Sequence, residues 1–178
     1  DPTINPTKFP STPAPTKPCF PDKTSLSGAV NTYIDSSCTL NPSLAACTTL
    51  SDAWGWPIGT WCTSLITDMS GLFQDKVTFN EDISGWNVSS VKSMHSMFRK
   101  SYVFNQNISG WNVSSVTNMY GAFEMAYAFN QDIGKWNVGR VTQISSMFRL
   151  ASAFNQDIGG WNVGSVTLMT RMFDTASA

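Results

Sequence analysis

The chain has 178 residues, 42% of them apolar, which suffices for one domain with its own core. Only 13% are charged, about half the usual share, and the net charge is −1. So little base argues against nucleic acid and anionic membrane as partners, and no run of ~20 apolar residues is present to span a bilayer.

Residues 1–18 form the first predicted element, an extended tail. Six of the nine prolines fall here, interleaved with Thr3, Thr7, Ser11, Thr12 and Thr16. Such a segment favours polyproline II and buries little of itself. At ~3.1 Å per residue it reaches ~56 Å, enough to touch a neighbouring molecule. Pro6, Pro10 and Pro13 are therefore candidate contacts in an assembly. Because the chain opens on Asp1 rather than Met, a processed, mature N-terminus is expected.

Residues 19–53 read as an N-terminal cap. Cys19, Cys38, Cys47 and Cys62 all precede the regular part of the chain, and none stands in a C-x-x-C pair. That spacing disfavours a zinc site and favours two disulfides, with three connectivities open. Disulfides require an oxidising compartment, so a secreted or cell-surface protein is expected.

From residue 54 the chain repeats every 25 residues, as units 54–78, 79–103, 104–128, 129–153 and 154–178. Four copies open on Phe79, Phe104, Phe129 and Phe154, and the first is a worn copy led by Trp54. Trp61, Trp86, Trp111, Trp136 and Trp161 recur at one slot, and Phe73, Phe98, Phe123, Phe148 and Phe173 at another. A period of this length marks coils stacked one on the next. Within a unit, Trp86-Asn87-Val88 alternates like a strand. Val91, Met94, Met97 and Phe98 then follow an apolar stripe of about two helical turns, which Ser89 or Ser90 is placed to cap. The expected fold is an α/β solenoid of about five coils, each a short parallel strand plus a short helical turn.

Two files of asparagine run through the units. Asn80, Asn105, Asn130 and Asn155 sit beside a buried Phe, where an amide ladder between coils is expected. Asn87, Asn112, Asn137 and Asn162 form either a second ladder or a flat polar recognition strip. Three glycosylation sequons occur, at Asn87, Asn107 and Asn112, and the looser bend favours Asn107. Asp82, Asp132 and Asp157, in file with Asn107, read as bend caps more readily than as calcium ligands.

The last unit ends the sequence without a cap of its own. Trp161, Met169, Met172 and Phe173 are then expected to present an apolar face that either further sequence or another subunit covers. His95 is the only histidine, and its slot holds Tyr120, Ser145 and Thr170 elsewhere, so no catalytic centre and no cofactor are expected.

The run F-N-Q-D-I-x-x-W-N-V-x-x-V-T-x-M-x-x-M-F, as in Phe154–Phe173, resembles the BspA-like repeats of surface proteins, also called mycoplasma-type lipoprotein repeats. Trp56-Pro57-Ile58-Gly59-Thr60-Trp61 is similar to that family's entry coil, and Leu26–Ile34 to the short helix before it. The resemblance spans residues 25–178. It implies a leucine-rich-repeat-like stack on a cell surface or in a secreted matrix, without catalytic residues. The functional expectation is a secreted structural or adhesive protein that associates head to tail into a filament or matrix. The alternative is a monomeric adhesin module that binds a protein or glycan.

Overall fold

The computed structural model describes residues 17–176. The cap holds two helices, α1 (Lys23–Asp35) and α2 (Ala45–Trp54), followed by a single 3₁₀ turn at Ile58–Thr60. Helix α1 starts where Asp22 accepts hydrogen bonds from the Ser25 amide and hydroxyl, each at 2.8 Å. It buries Leu26, Ala29, Val30 and Tyr33, spaced i, i+3, i+4 and i+7. Helix α2 ends at Gly55, whose φ of 96° few other residues adopt.

The rest of the chain corrects the sequence expectation. Among the described residues the units from Phe79 on contain no strand and no helix, and the first unit holds only the end of α2 and the 3₁₀ turn, so the strand-plus-helix α/β solenoid is not what forms. Sheet-like contact is confined to isolated parallel bridges, Asp68 to Ser93, Ser93 to Asn118, Asn118 to Gln143 and Gln143 to Leu168. The supposed strand at Trp86-Asn87-Val88 lies between two tight turns, closed by Trp86 N–H to Ile83 O and Val91 N–H to Val88 O.

The supposed helix fails for a backbone reason. An α-helix sends every N–H to the fourth residue back. Here alternate residues divide their bonds. The amides of Met94, Ser96, Phe98 and Lys100 donate to Asn118, Tyr120, Ala122 and Glu124 of the next coil. Those of Met97, Arg99 and Ser101 close three-residue turns on Met94, Ser96 and Phe98 of their own coil. The alternation requires left-handed residues at two slots per coil, such as Ser96 (φ 53°) and Lys100 (φ 59°), or Gly121 (φ 57°) and Met125 (φ 59°). Each coil is thus a series of turns stitched to its neighbours.

Stacking puts like residues over like. The Phe73, Phe98, Phe123, Phe148 and Phe173 rings lie within 10° of parallel to their neighbours, with centroids 5.2–5.8 Å apart. A second file, Phe79, Phe104, Phe129 and Phe154, repeats at 6.0–6.2 Å. The two files touch each other at about 4 Å where one unit passes into the next, Phe73 on Phe79, Phe98 on Phe104, Phe123 on Phe129 and Phe148 on Phe154. Trp86, Trp111, Trp136 and Trp161 are buried, and each indole N–H donates to an isoleucine carbonyl one coil back, at 2.9–3.3 Å. The tryptophan therefore spends its one polar atom on fixing the coil-to-coil register.

Candidate interaction surfaces

The two ends of the stack differ. At the first coil, Met69, Leu72 and Phe73 are buried, and α1 is held alongside by ion pairs near both of its termini. Lys23 meets Asp68 at 3.0 Å and Lys76 meets Asp35 at 3.0 Å. At the last coil two of the three equivalent slots are open. Met169 is 45% exposed and Phe173 48%, where Met94 is 3% and Phe98 1%. Leu168 and Val163 are exposed beside them, while Trp161 and Met172 stay buried. Of the expected assembly residues, then, Met169 and Phe173 lie on the open face and Trp161 and Met172 do not. Pro6, Pro10 and Pro13 lie outside the described residues.

Backbone groups give this face a polarity. Every coil donates through alternate amides to the coil after it, so the last coil is left with the N–H groups of Met169, Arg171, Phe173 and Thr175. None of these four meets a backbone acceptor among the described residues. At the other end, the carbonyls of Asp68, Ser70, Leu72 and Gln74 receive no backbone N–H from the described residues. A mainly donor edge and a mainly acceptor edge thus stand at opposite ends of the described stack, with one bond per coil, such as Thr167 N–H to Thr142 O, running the other way.

The asparagine files do different things. Asn80, Asn105 and Asn130 each accept, through Oδ1, the backbone N–H of the asparagine one coil on, at 2.8–2.9 Å. Gln106, Gln131 and Gln156 reinforce the file from the side. The Asn87 file makes no such ladder, and that alternative is corrected. Asn87, Asn112, Asn137 and Asn162 each accept the N–H two residues on in their own coil, at 3.0–3.2 Å. The Asp82 file closes the same local turn, onto Ser84, Gly134 and Gly159. Among the described residues no three His, Cys, Asp or Glu side chains converge as a metal site would require.

Two features escaped the sequence reading. Arg99, Glu124, Arg149 and Asp174 alternate in sign along one file and form a chain of ion pairs at 3.0, 2.7 and 3.4 Å, with Glu124 buried at its centre. Tyr102 and Tyr127 stack with centroids 4.9 Å apart and, with Val77 and Val103, make an exposed apolar ridge on the side of the stack.

The contact between the cap and the first coil also titrates. Burial pushes the Asp68 carboxyl up, but hydrogen bonds from the Ser70 hydroxyl and amide and the Lys23 ammonium outweigh it and hold the group below its ordinary 3.8. A depressed carboxyl stabilises the fold above its unfolded pKa and loses that effect as pH falls through the folded value. Asp68→Asn is therefore expected to melt below wild type at pH 7, with the gap closing on acidification below ~4. Thermal melts from pH 7 to pH 2 check this, and a gap independent of pH would assign the loss to packing.

Residues 45–138 and 111–178 match the model of a family described as Mycoplasma protein of unknown function, DUF285. The chain belongs to this family. No curated protein and no solved structure matches it. The family match begins at the start of α2, so α1 lies before the matched residues, while its ion-pair partners Asp68 and Lys76 lie within them. The cysteines pair as Cys19–Cys62 and Cys38–Cys47, bonds suited to an oxidising, extracellular setting. Among the described residues no helix is long and apolar enough to cross a membrane.

Proposed function

We propose that this DUF285 chain is an extracellular, non-enzymatic structural module that joins head to tail with further copies of itself. The carrying observation is the last coil, where half-exposed Phe173 and Met169 lie beside four N–H groups free of backbone partners among the described residues. An apolar face edged with unpaired backbone donors favours pairing with another chain. Continuing the ladder's register would take Met169 N–H to Asp68 O, Arg171 to Ser70, Phe173 to Leu72 and Thr175 to Gln74 of a second copy. Two open ladder edges present donors to donors, so the contact is heterologous and builds filaments rather than closed pairs. Resemblance to BspA-like surface repeats supports an extracellular structural role.

Helix α1 limits this contact. It covers the first coil, so a second copy docks fully only when α1 shifts from its two ion pairs. Exposed pairs of this kind contribute about 0–1 kcal/mol each, and burial of Leu26 and Val30 adds more. Association is therefore weak and strongly dependent on concentration. Sedimentation velocity across micromolar to millimolar protein tests it. Wild type is expected to grow in mass with concentration, and Phe173→Asp to remain monomeric with its melting temperature little changed. A wild type that stays monomeric throughout overturns the proposal.

A second reading, an adhesin module, is favoured by the exposed ridge of Val77, Tyr102, Val103 and Tyr127. Stacked tyrosines present rigid amphipathic surface suited to a protein or glycan partner. Loss of surface adhesion in Tyr102→Ser/Tyr127→Ser, with self-association intact, would favour it over assembly.

A further inference from the structure

Three sequons lie on adjacent coils, and the structure separates them. Asn107 is exposed, and its Oδ1 accepts both the amide (3.0 Å) and the hydroxyl (2.7 Å) of Ser109, the third residue of its own sequon. Its Nδ2 has no hydrogen-bond partner among the described residues. Asn112 receives only the amide of Ser114, at 3.2 Å. Asn87 has the fuller geometry, with Ser89 donating through both groups, but it shares a file with Asn112, Asn137 and Asn162. In that file the carboxamide leans on the coil before it, since Asn162 Nδ2 lies 3.7 Å from a methyl group placed on Gly139.

Space around the Asn107 turn is freer. A methyl group placed on Gly110 would meet no atom within 4 Å, whereas one on Gly85, the same slot a coil earlier, would lie 2.9 Å from the Gly59 carbonyl oxygen. The slot itself makes no structural demand for asparagine. Asp82, Asp132 and Asp157 fill it in three other coils and close the same turn. Only at Asn107 does the slot carry a carboxamide; Asp82 is likewise followed by Ile83 and Ser84, but only Asn107 with Ser109 completes a sequon.

We infer that Asn107 is a modification site, the acceptor for one N-linked glycan on the side of the stack. The donor is a lipid-diphosphate-linked oligosaccharide. Asn107 Nδ2 forms a bond to the anomeric carbon of the first sugar and gives up one proton. The anomeric carbon–oxygen bond breaks, and the lipid diphosphate leaves with its electron pair. The turn that engages Ser109 with Asn107 spans two residues, so it forms locally, before the coils have stacked. Asparagines of this motif are modified on exposed surfaces of secreted proteins. The inference needs only the oxidising compartment that suits the two disulfides, and it stands apart from end-to-end association.

The test is secretion of the whole chain from cultured eukaryotic cells, followed by enzymatic deglycosylation in ¹⁸O-labelled water and peptide mass spectrometry. The expected result is labelled aspartate at residue 107 in most molecules, and one mobility step that deglycosylation removes. Asn107→Asp and Ser109→Ala abolish the step. Asn107→Asp keeps the turn used by the other coils, so its unchanged circular dichroism separates lost modification from lost folding. Asn87→Gln and Asn112→Gln leave the step in place. Secreted, folded chain without label at residue 107, or with label at Asn87 or Asn112 instead, overturns the inference.

Discussion

Phe123→Ala is expected to lower the free energy of unfolding by about 3–5 kcal/mol, the usual range for deleting a core aromatic ring. The ring is 2% exposed and sits at the middle of the stack. It lies parallel to Phe98 at 5.4 Å and to Phe148 at 5.8 Å, and touches Phe129 at 4.0 Å. Neighbours on both sides along the axis are themselves fixed by the inter-coil ladder, so the cavity cannot close by a shift of one coil. In a stack each coil is stabilised largely by its neighbours, and damage at the centre weakens two interfaces together.

Phe173→Ala removes the same ring from the same slot, yet its cost is expected to stay under about 1 kcal/mol, because surface truncations leave no cavity. Phe173 is 48% exposed, and among the described residues the one ring stacked on it is Phe148. Urea denaturation followed by circular dichroism compares the two variants directly. Equal losses would mean that the ring file is not what holds the coils in place.

The ring files were legible in the sequence because stacking demands the same side chain at the same slot in every coil. Trp86 and Phe98 could be aligned with Trp111 and Phe123 without any knowledge of backbone conformation. Local structure was not legible on the same grounds. Val91, Met94, Met97 and Phe98 match a helical stripe, but a spacing of three also fits consecutive three-residue turns. What decides between them is the left-handed backbone at slots 96 and 100. Glycine marks such a slot only at Gly71 and Gly121, while Ser96, Lys100, Leu150 and Arg171 occupy it with no signal in their chemistry.

Asparagine was misread for a related reason. Asn87 alternates with Trp86 and Val88, which imitates a strand, yet the better clue was the small Ser or Gly two residues on. That pairing serves a local turn, and it is the use the structure makes of it. The alternating charges of Arg99, Glu124, Arg149 and Asp174 were visible only down the file, since they stand 25 residues apart along the chain. A cap over residues 19–53 and a short helix at Leu26–Ile34 were expected, but the ion pairs that hold α1 against the first coil had no local signature. They depend on Lys23 and Asp35 reaching Asp68 and Lys76, contacts across more than 40 residues.

Removing the Cys19–Cys62 bridge should be the costlier of the two disulfide losses. It closes a loop 43 residues apart in sequence, against 9 for Cys38–Cys47. Loop-closure entropy in the unfolded chain then predicts about 4 kcal/mol for the first and about 3 kcal/mol for the second. Packing widens the difference. The first bridge holds the chain where Phe20 N–H donates to Cys62 O at 3.0 Å, and Phe20 is fully buried against Trp54 at 4.0 Å and Trp61 at 5.4 Å. Without it, the segment that seals the first coil is tied only by its own contacts. The second bridge joins the end of α1 to α2 within the cap, where both sulfurs are buried but the repeats are not directly held. Urea titrations of Cys19→Ala/Cys62→Ala and Cys38→Ala/Cys47→Ala, each keeping the other bridge, measure the order. If the short bridge proves the more costly, helix packing in the cap, rather than restriction of the unfolded chain, sets the stability of this end of the stack.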